Sequence, residues 1–169
     1  MAAPVSIRRA VAADAAALHA MVTAIAAATG DAGKVTSRPE DFLRLGFGDR
    51  PAFEALIAEH DGRPVGLSLF FTSFSSWRGA TGLYVQDLYV DPAMRGGGLG
   101  RRLLAATAAI ARARGGRYLR LSADAGNAAA HAVYGRTGFA HAAAERIFVL
   151  AGEAFAALGE EGETIDGDR

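Results

Sequence analysis

Residues 87–102 read DLYVDPAMRGGGLGRR: an apolar run, a turn at Asp91-Pro92, then Gly96, Gly97, Gly98 and Gly100, and then the start of a helical repeat. Glycine loses more conformational freedom on folding than any other residue, so this cluster is a costly way merely to reverse a chain. The glycines strip side chains from the point where a helix presents its unpaired N–H groups. Such an end carries about half a positive charge and about four free donors, which suits phosphate oxygens. Arg95, Arg101 and Arg102 add cationic charge on either side. A strand that hands the chain to a helix in this way requires a mixed α/β fold.

The rest of the chain extends that pattern. VSIRRAV (5–11) alternates as a first strand. Asp14 suits the N-cap of a helix whose stripe is Leu18, Met21, Val22 and Ile25, ending near Gly30. SRPEDFLRLGFG reads as a short helix, with Ser37 as cap, Pro39 in the first turn and Gly46 at the end. Two apolar runs within FEALIAEHDGRPVGLSLFFTSF are split by Asp61-Gly62, a strong hairpin signal. GLYVQDLYV (82–90) is apolar on both faces and reads as a central strand. Leu99, Leu103, Ala106 and Ile110 stripe the following helix, and RYLRLSA makes a strand. A parallel step across that helix is expected. Residues 127–137 form another helix, RIFVL a last strand, and EAFAAL a turn of helix. The fold class is thus a mixed, mostly antiparallel sheet flanked by helices, in one domain over 1–158. The acidic, glycine-rich stretch 159–169 reads as a disordered tail.

Composition narrows the function classes. Lys plus Arg and Asp plus Glu number 18 each, so no net charge favours nucleic acid or a membrane surface. With no cysteine, thiolate metal sites and a Cys nucleophile are excluded, and His19, His60, His131 and His141 lack zinc-type spacing, so no metal is expected. Arg8-Arg9 before an Ala-rich stretch imitates a secretion signal, but Asp14 and His19 interrupt it. A soluble cytoplasmic protein is the expectation.

Three phosphate motifs compete for the glycines. A P-loop needs Lys-Ser/Thr after the last glycine, where this chain has Arg101. A dinucleotide fingerprint belongs after the first strand, and this one comes mid-chain. The third is R-x-x-G-x-G, met by Arg95, Gly98 and Gly100. On that motif the chain resembles the GNAT superfamily of N-acetyltransferases over about residues 5–155. DFLRLGFGDRPAFEALIAE, FFTSFSSWRGATGLYVQDLYV, RGGGLGRRLL, NAAAHAVYGRTGF and RIFVL are most similar to its diamine (spermidine/spermine-type) branch. The resemblance implies a sheet splayed at an acyl-CoA site and acetyl-CoA as cofactor. It implies that backbone groups of Leu88, Tyr89 and Val90 pair with the pantetheine arm. It further implies that Gly96, Gly97, Gly98, Leu99, Gly100 and Arg101 wrap the pyrophosphate, and that Arg95, Asn127 and Tyr134 also contact the cofactor.

Two protons need carriers. Amine attack on a thioester expels a thiolate, which a phenol can protonate. Tyr134 lies seven residues after Asn127, on the same helix face about 10 Å along the axis. The resemblance gives it the role of general acid; the residues alone favour a packed core tyrosine. An alkyl ammonium is neutral in roughly one molecule in 2,500 at about pH 7, a handicap of about 4.6 kcal/mol. The family's Glu-Asp pair on the central strand is here Gln86-Asp87, and an amide is no base. Asp87 remains, but strand alternation turns it away from Gln86 unless a bulge intervenes. The expectation is that Asp87 or Glu59, through water, takes the proton, while Gln86 positions the acceptor. Glu54 and His131 are weaker candidates.

The acceptor is expected to be a small primary amine: a diamine, a polyamine or an amino-acid-like compound. Asp31, Trp77, Gln86 and Asp87 are the residues expected to meet it. Lys34 beside Asp31 argues against a long polyamine. The alternatives are an acetyltransferase acting on protein Lys or N-termini, and a non-catalytic acyl-CoA-binding module. RIFVL and AGEAFAAL resemble the segment through which such proteins form homodimers.

Overall fold

In the computed structural model, the described residues are 4–160 and 162. They group into two compact units, residues 1–138 and 139–169. The first holds one five-stranded sheet: β1 (Ser6–Arg9), β2 (Glu54–His60), β3 (Arg63–Ser75), β4 (Ala80–Val90) and β5 (Leu119–Leu121), in the spatial order β1-β2-β3-β4-β5. Neighbours from β1 to β4 are antiparallel, and β4 pairs β5 in parallel. The expected mixed, mostly antiparallel sheet is therefore present. Asp61 and Gly62 both take positive φ, 49° and 72°, the signature of a two-residue type I′ hairpin joining β2 to β3.

The helices are α1 (Ala15–Ala28), α2 (Pro39–Gly46), α3 (Leu99–Ala113), α4 (Ala128–Thr137) and α5 (Gly152–Glu160), the last in the second unit. On one sheet face, Leu18 and Met21 of α1 pack on Ala55, Ile57, Leu67 and Leu69, with Phe42, Phe47, Phe53 and Tyr89 around them. Gly46 is the last residue of α2, and a Cβ there would come within 2.5 Å of the Phe53 ring, so the close approach requires glycine. On the other face α3 buries Leu99, Leu103, Leu104, Thr107 and Ala111. The expected stripe is thus shifted by one position after Leu103, and Thr107 replaces Ala106. That substitution brings a hydroxyl into the core. Its partners are the Ser68 hydroxyl at 2.8 Å and the Leu103 carbonyl at 2.9 Å, so the burial leaves no unmet donor.

Residues 146–150 form no strand, contrary to the expected RIFVL strand. β-propensity needs a ladder partner to become a strand, and Ile147, Phe148 and Val149 are exposed instead. The expectation of a tail falls largely on 161 and 163–169, outside the described residues.

Asp14 precedes α1 as expected but makes no side-chain cap to it. Its carboxylate instead accepts the Val11 N–H at 2.7 Å and both Arg8 guanidinium nitrogens, at 2.7 and 2.9 Å. Arg8 also donates to Glu59 at 2.6 Å, joining β1, β2 and the start of α1. The Arg8 hydrogen bonds hold the Asp14 carboxyl below its ordinary pKa of 3.8, outweighing its burial. A carboxyl lowered in the fold stabilises above its unfolded pKa and loses that contribution as pH falls through the folded value. Asp14→Ala should therefore cost about 2 kcal/mol in urea unfolding near neutral pH. The penalty should shrink as the pH drops below 3.8.

Candidate active site

β4 is the element that builds the site. β3 flanks it from Ala80 to Val90, but β5 pairs only with Leu83, Tyr84 and Val85. Beyond Val85 the β5-facing edge of β4 is open, and its backbone N–H and C=O groups face no strand there. The register with β3 shifts in the same place: Phe70 faces Val85, Leu69 faces Asp87, and Gln86 is the extra residue of a β-bulge. That bulge decides the question raised by strand alternation. Asp87 shares a face with Leu69, which packs with α1, while Leu88 pairs with Ser68 on the α3 face. Gln86 is exposed at the kink.

Asp87 of β4 lines a cleft of about 210 Å³ together with residues of α2. Phe42, Leu45, Phe53 and Leu69 supply its apolar lining, and Ser37 and Asp41 its other polar positions. Burial pushes the Asp87 carboxyl above its ordinary value, and no cation among the described residues offsets this. These cleft residues were not singled out from sequence. The available signal was the Phe42–Leu45 spacing on a short amphipathic helix, which equally describes core packing.

The glycine loop follows directly. Gly96 and Gly98 take φ of +83° and +78°, which side-chain-bearing residues rarely adopt, and a Cβ at either would point into open space. Gly98 is the N-cap of α3 and contributes no side chain. The first helical bond runs from Arg102 N–H to the Gly98 carbonyl at 3.0 Å, so the preceding amides open outward. Arg95 folds back, its Nε donating to the Val90 carbonyl at 3.1 Å, and ties the loop to the end of β4. Arg102 donates to the Val5 carbonyl at 2.8 Å, whereas Arg101 is exposed at the helix start. A bare, donor-rich helix end with room above it fits the pyrophosphate of an acyl-CoA.

Asn127 caps α4, its Oδ1 accepting the Ala130 N–H at 3.1 Å, which leaves its amide N–H₂ for other partners. Tyr134 lies two turns further along α4, and burial raises its phenol above its ordinary pKa of 10.0. It therefore stays protonated through neutral pH.

Other expected residues lie elsewhere. Glu59 is held by Arg8 at 2.6 Å and sits four residues along β2 from Ala55, the residue level with Leu69 and Asp87, about 13 Å of strand. Glu54 is held by Arg9 at 2.7 Å and by Arg114 at 2.6 Å. Trp77 stands 98% exposed in the turn before Ala80, and Asp87 is seven residues further down β4, about 23 Å of strand. Asp31 is paired with Lys34 at 2.6 Å in the loop between α1 and α2. No helix is long and apolar enough to cross a membrane, and no cluster of three metal-type ligands occurs, both among the described residues.

The chain is similar to the thialysine N-epsilon-acetyltransferase of Bos taurus, 37% identical over 92 residues that cover 49% of this chain and 54% of the relative. It is also similar to the spermidine/spermine N(1)-acetyltransferase-like protein 1 of Homo sapiens, 38% identical over 78 residues, 42% of this chain and 11% of that one. The chain spans about half the length of the thialysine relatives it matches. Among solved structures, an integron cassette protein of V. cholerae superposes with a TM-score of 0.77 at 18% identity, over 92% of this chain and 98% of that one, so the fold is shared. The model of the acetyltransferase (GNAT) family matches residues 20–139, which contain β2, β3, β4, the glycine loop, α3, β5 and α4. The chain whose bare loop opens beside a half-paired strand belongs to the GNAT acetyltransferase family.

Proposed function

We propose that this protein is an N-acetyltransferase that moves an acetyl group from acetyl-CoA to the primary amine of a small molecule by direct attack. The observation that carries the reading is the continuity of three features on β4: the open edge, the bulge that turns Asp87 into the cleft, and the glycine loop. In this reading the amides of Gly96 to Arg101 hold the pyrophosphate, and the free edge of Leu88, Tyr89 and Val90 pairs with the amide-rich arm. Asn127 supports that arm from α4. When bound, acetyl-CoA supplies an activated acyl thioester.

The chain's own residues handle the protons. Asp87 accepts the acceptor's proton at a carboxylate oxygen, directly or through water, and holds the resulting amine in the cleft. Gln86, exposed at the bulge, orients the acceptor or that water. Glu59 is already engaged by Arg8, which favours Asp87 as the base. Tyr134 gives its phenolic proton to the departing thiolate. The small cleft favours a small-molecule acceptor over a peptide. Exposed Ile147, Phe148, Val149 and Phe155 support a homodimer assembled through 146–158.

Asp87→Asn should lower kcat/KM by about 10²–10⁴ in a thiol-release assay. It should also remove the acidic limb of the pH–rate profile, which burial places above the ordinary carboxylate value of 3.8. The same variant should melt no lower than the parent at neutral pH. A carboxyl raised in the fold destabilises once ionised, so removing the charge relieves the fold. Tyr134→Phe should slow turnover while leaving acetyl-CoA binding intact. Gly98→Val forces a branched side chain into left-handed backbone, and should abolish the thermal protection given by coenzyme A. A light-scattering mass of a single chain would overturn the homodimer.

A further inference from the structure

We infer that the cleft shared by Asp87 and α2 selects a singly charged primary amine carried on an apolar body, and discriminates against diamines. The inference rests on the acetyl-transfer reading and adds the acceptor class. The cleft's volume of about 210 Å³ matches roughly seven liquid waters at about 30 Å³ each, enough for a short amine body. Its two carboxylates come from different elements, Asp87 from β4 and Asp41 from α2. Asp87 has no counter-ion among the described residues, so it is the carboxylate that an entering ammonium meets.

Away from Asp87 the lining is mostly hydrocarbon, with Ser37 and Asp41 its other polar residues. Phe42 and Phe53 meet edge to face, centroids 5.7 Å apart and planes at 67°, forming an aromatic corner. Leu69 is buried on the α1 face of β3, and Leu45, 41% exposed, is the lining side chain that reaches solvent from α2. The second carboxylate at the cleft, Asp41, is already matched: one oxygen accepts the Arg38 N–H at 2.9 Å and the other Arg44 at 3.1 Å. Asp31, in the loop leading to α2, is paired with Lys34 at 2.6 Å. A second ammonium on the acceptor's far end would thus be desolvated against Phe and Leu side chains without a free carboxylate to receive it. An apolar tail would gain from the same contact.

The test measures thiol release from acetyl-CoA with hexylamine, phenethylamine and hexamethylenediamine. The parent should favour both monoamines over the diamine by about tenfold or more in kcat/KM. Leu45→Glu places a carboxylate in the cleft lining and should reverse the ranking, leaving the KM for acetyl-CoA unchanged. Leu45→Gln, equally polar but uncharged, should not reverse it. A parent that favours the diamine, or a Leu45→Glu ratio equal to the parent's, overturns the assignment while leaving acetyl transfer standing. Absence of thiol release with every amine overturns the transfer reading, and the acceptor class falls with it.

Discussion

Strand β4 is bonded along its length on one side and only from Thr81 to Val85 on the other. The site depends on this asymmetry. A fully paired strand would present no free backbone edge, and a regular one would turn Asp87 toward α3. The open edge and the bulge occur together, at Val85 to Asp87, where β5 stops and the β3 register slips. The loop then starts from the end of the same strand, tied back by Arg95 to Val90. One strand therefore fixes the backbone edge, Asp87 and the glycine loop relative to each other.

Charge is partitioned on a simple plan. The carboxylates that brace the sheet are matched: Asp14 and Glu59 by Arg8, and Glu54 by Arg9 and Arg114. Glu54 is accordingly held below its ordinary pKa, chiefly by its hydrogen bond from Arg114. Asp87 alone among these acids is shifted upward, because it is half-buried and unmatched. Perturbed groups of this kind mark functional sites more often than structural ones. The contrast between Glu59 and Asp87 rests on their partners, not on residue type.

Much of this was legible from the residues. Asp-Gly gave the hairpin, the double-faced apolar run gave a central β4, and the glycines gave the loop, since each signal is local. The bulge was not legible, because Gln86 and Asp87 carry no local mark of a register slip; only pairing with β3 creates it. The cleft was hidden for a similar reason. Phe42 and Leu45 read as core positions of a short amphipathic helix, and only the fold shows that they share a cleft with Asp87. RIFVL misled because its β-propensity is high, yet a strand exists only in a ladder. Glu59 and Trp77 were assigned by residue type and strand order, which do not report how far along a strand each lies from Asp87.

Asp87 has a consequence beyond acid–base chemistry. An ionised group in a poorly hydrated wall raises the free energy of the empty fold, and any cation that enters and pairs with it returns part of that energy. Ligand occupancy and conformational stability are then two readings of one electrostatic imbalance. The cost sets in as pH rises past the ordinary carboxylate value of 3.8 and is complete above the raised one, so a cation paired with Asp87 steadies the fold most once that carboxyl is ionised.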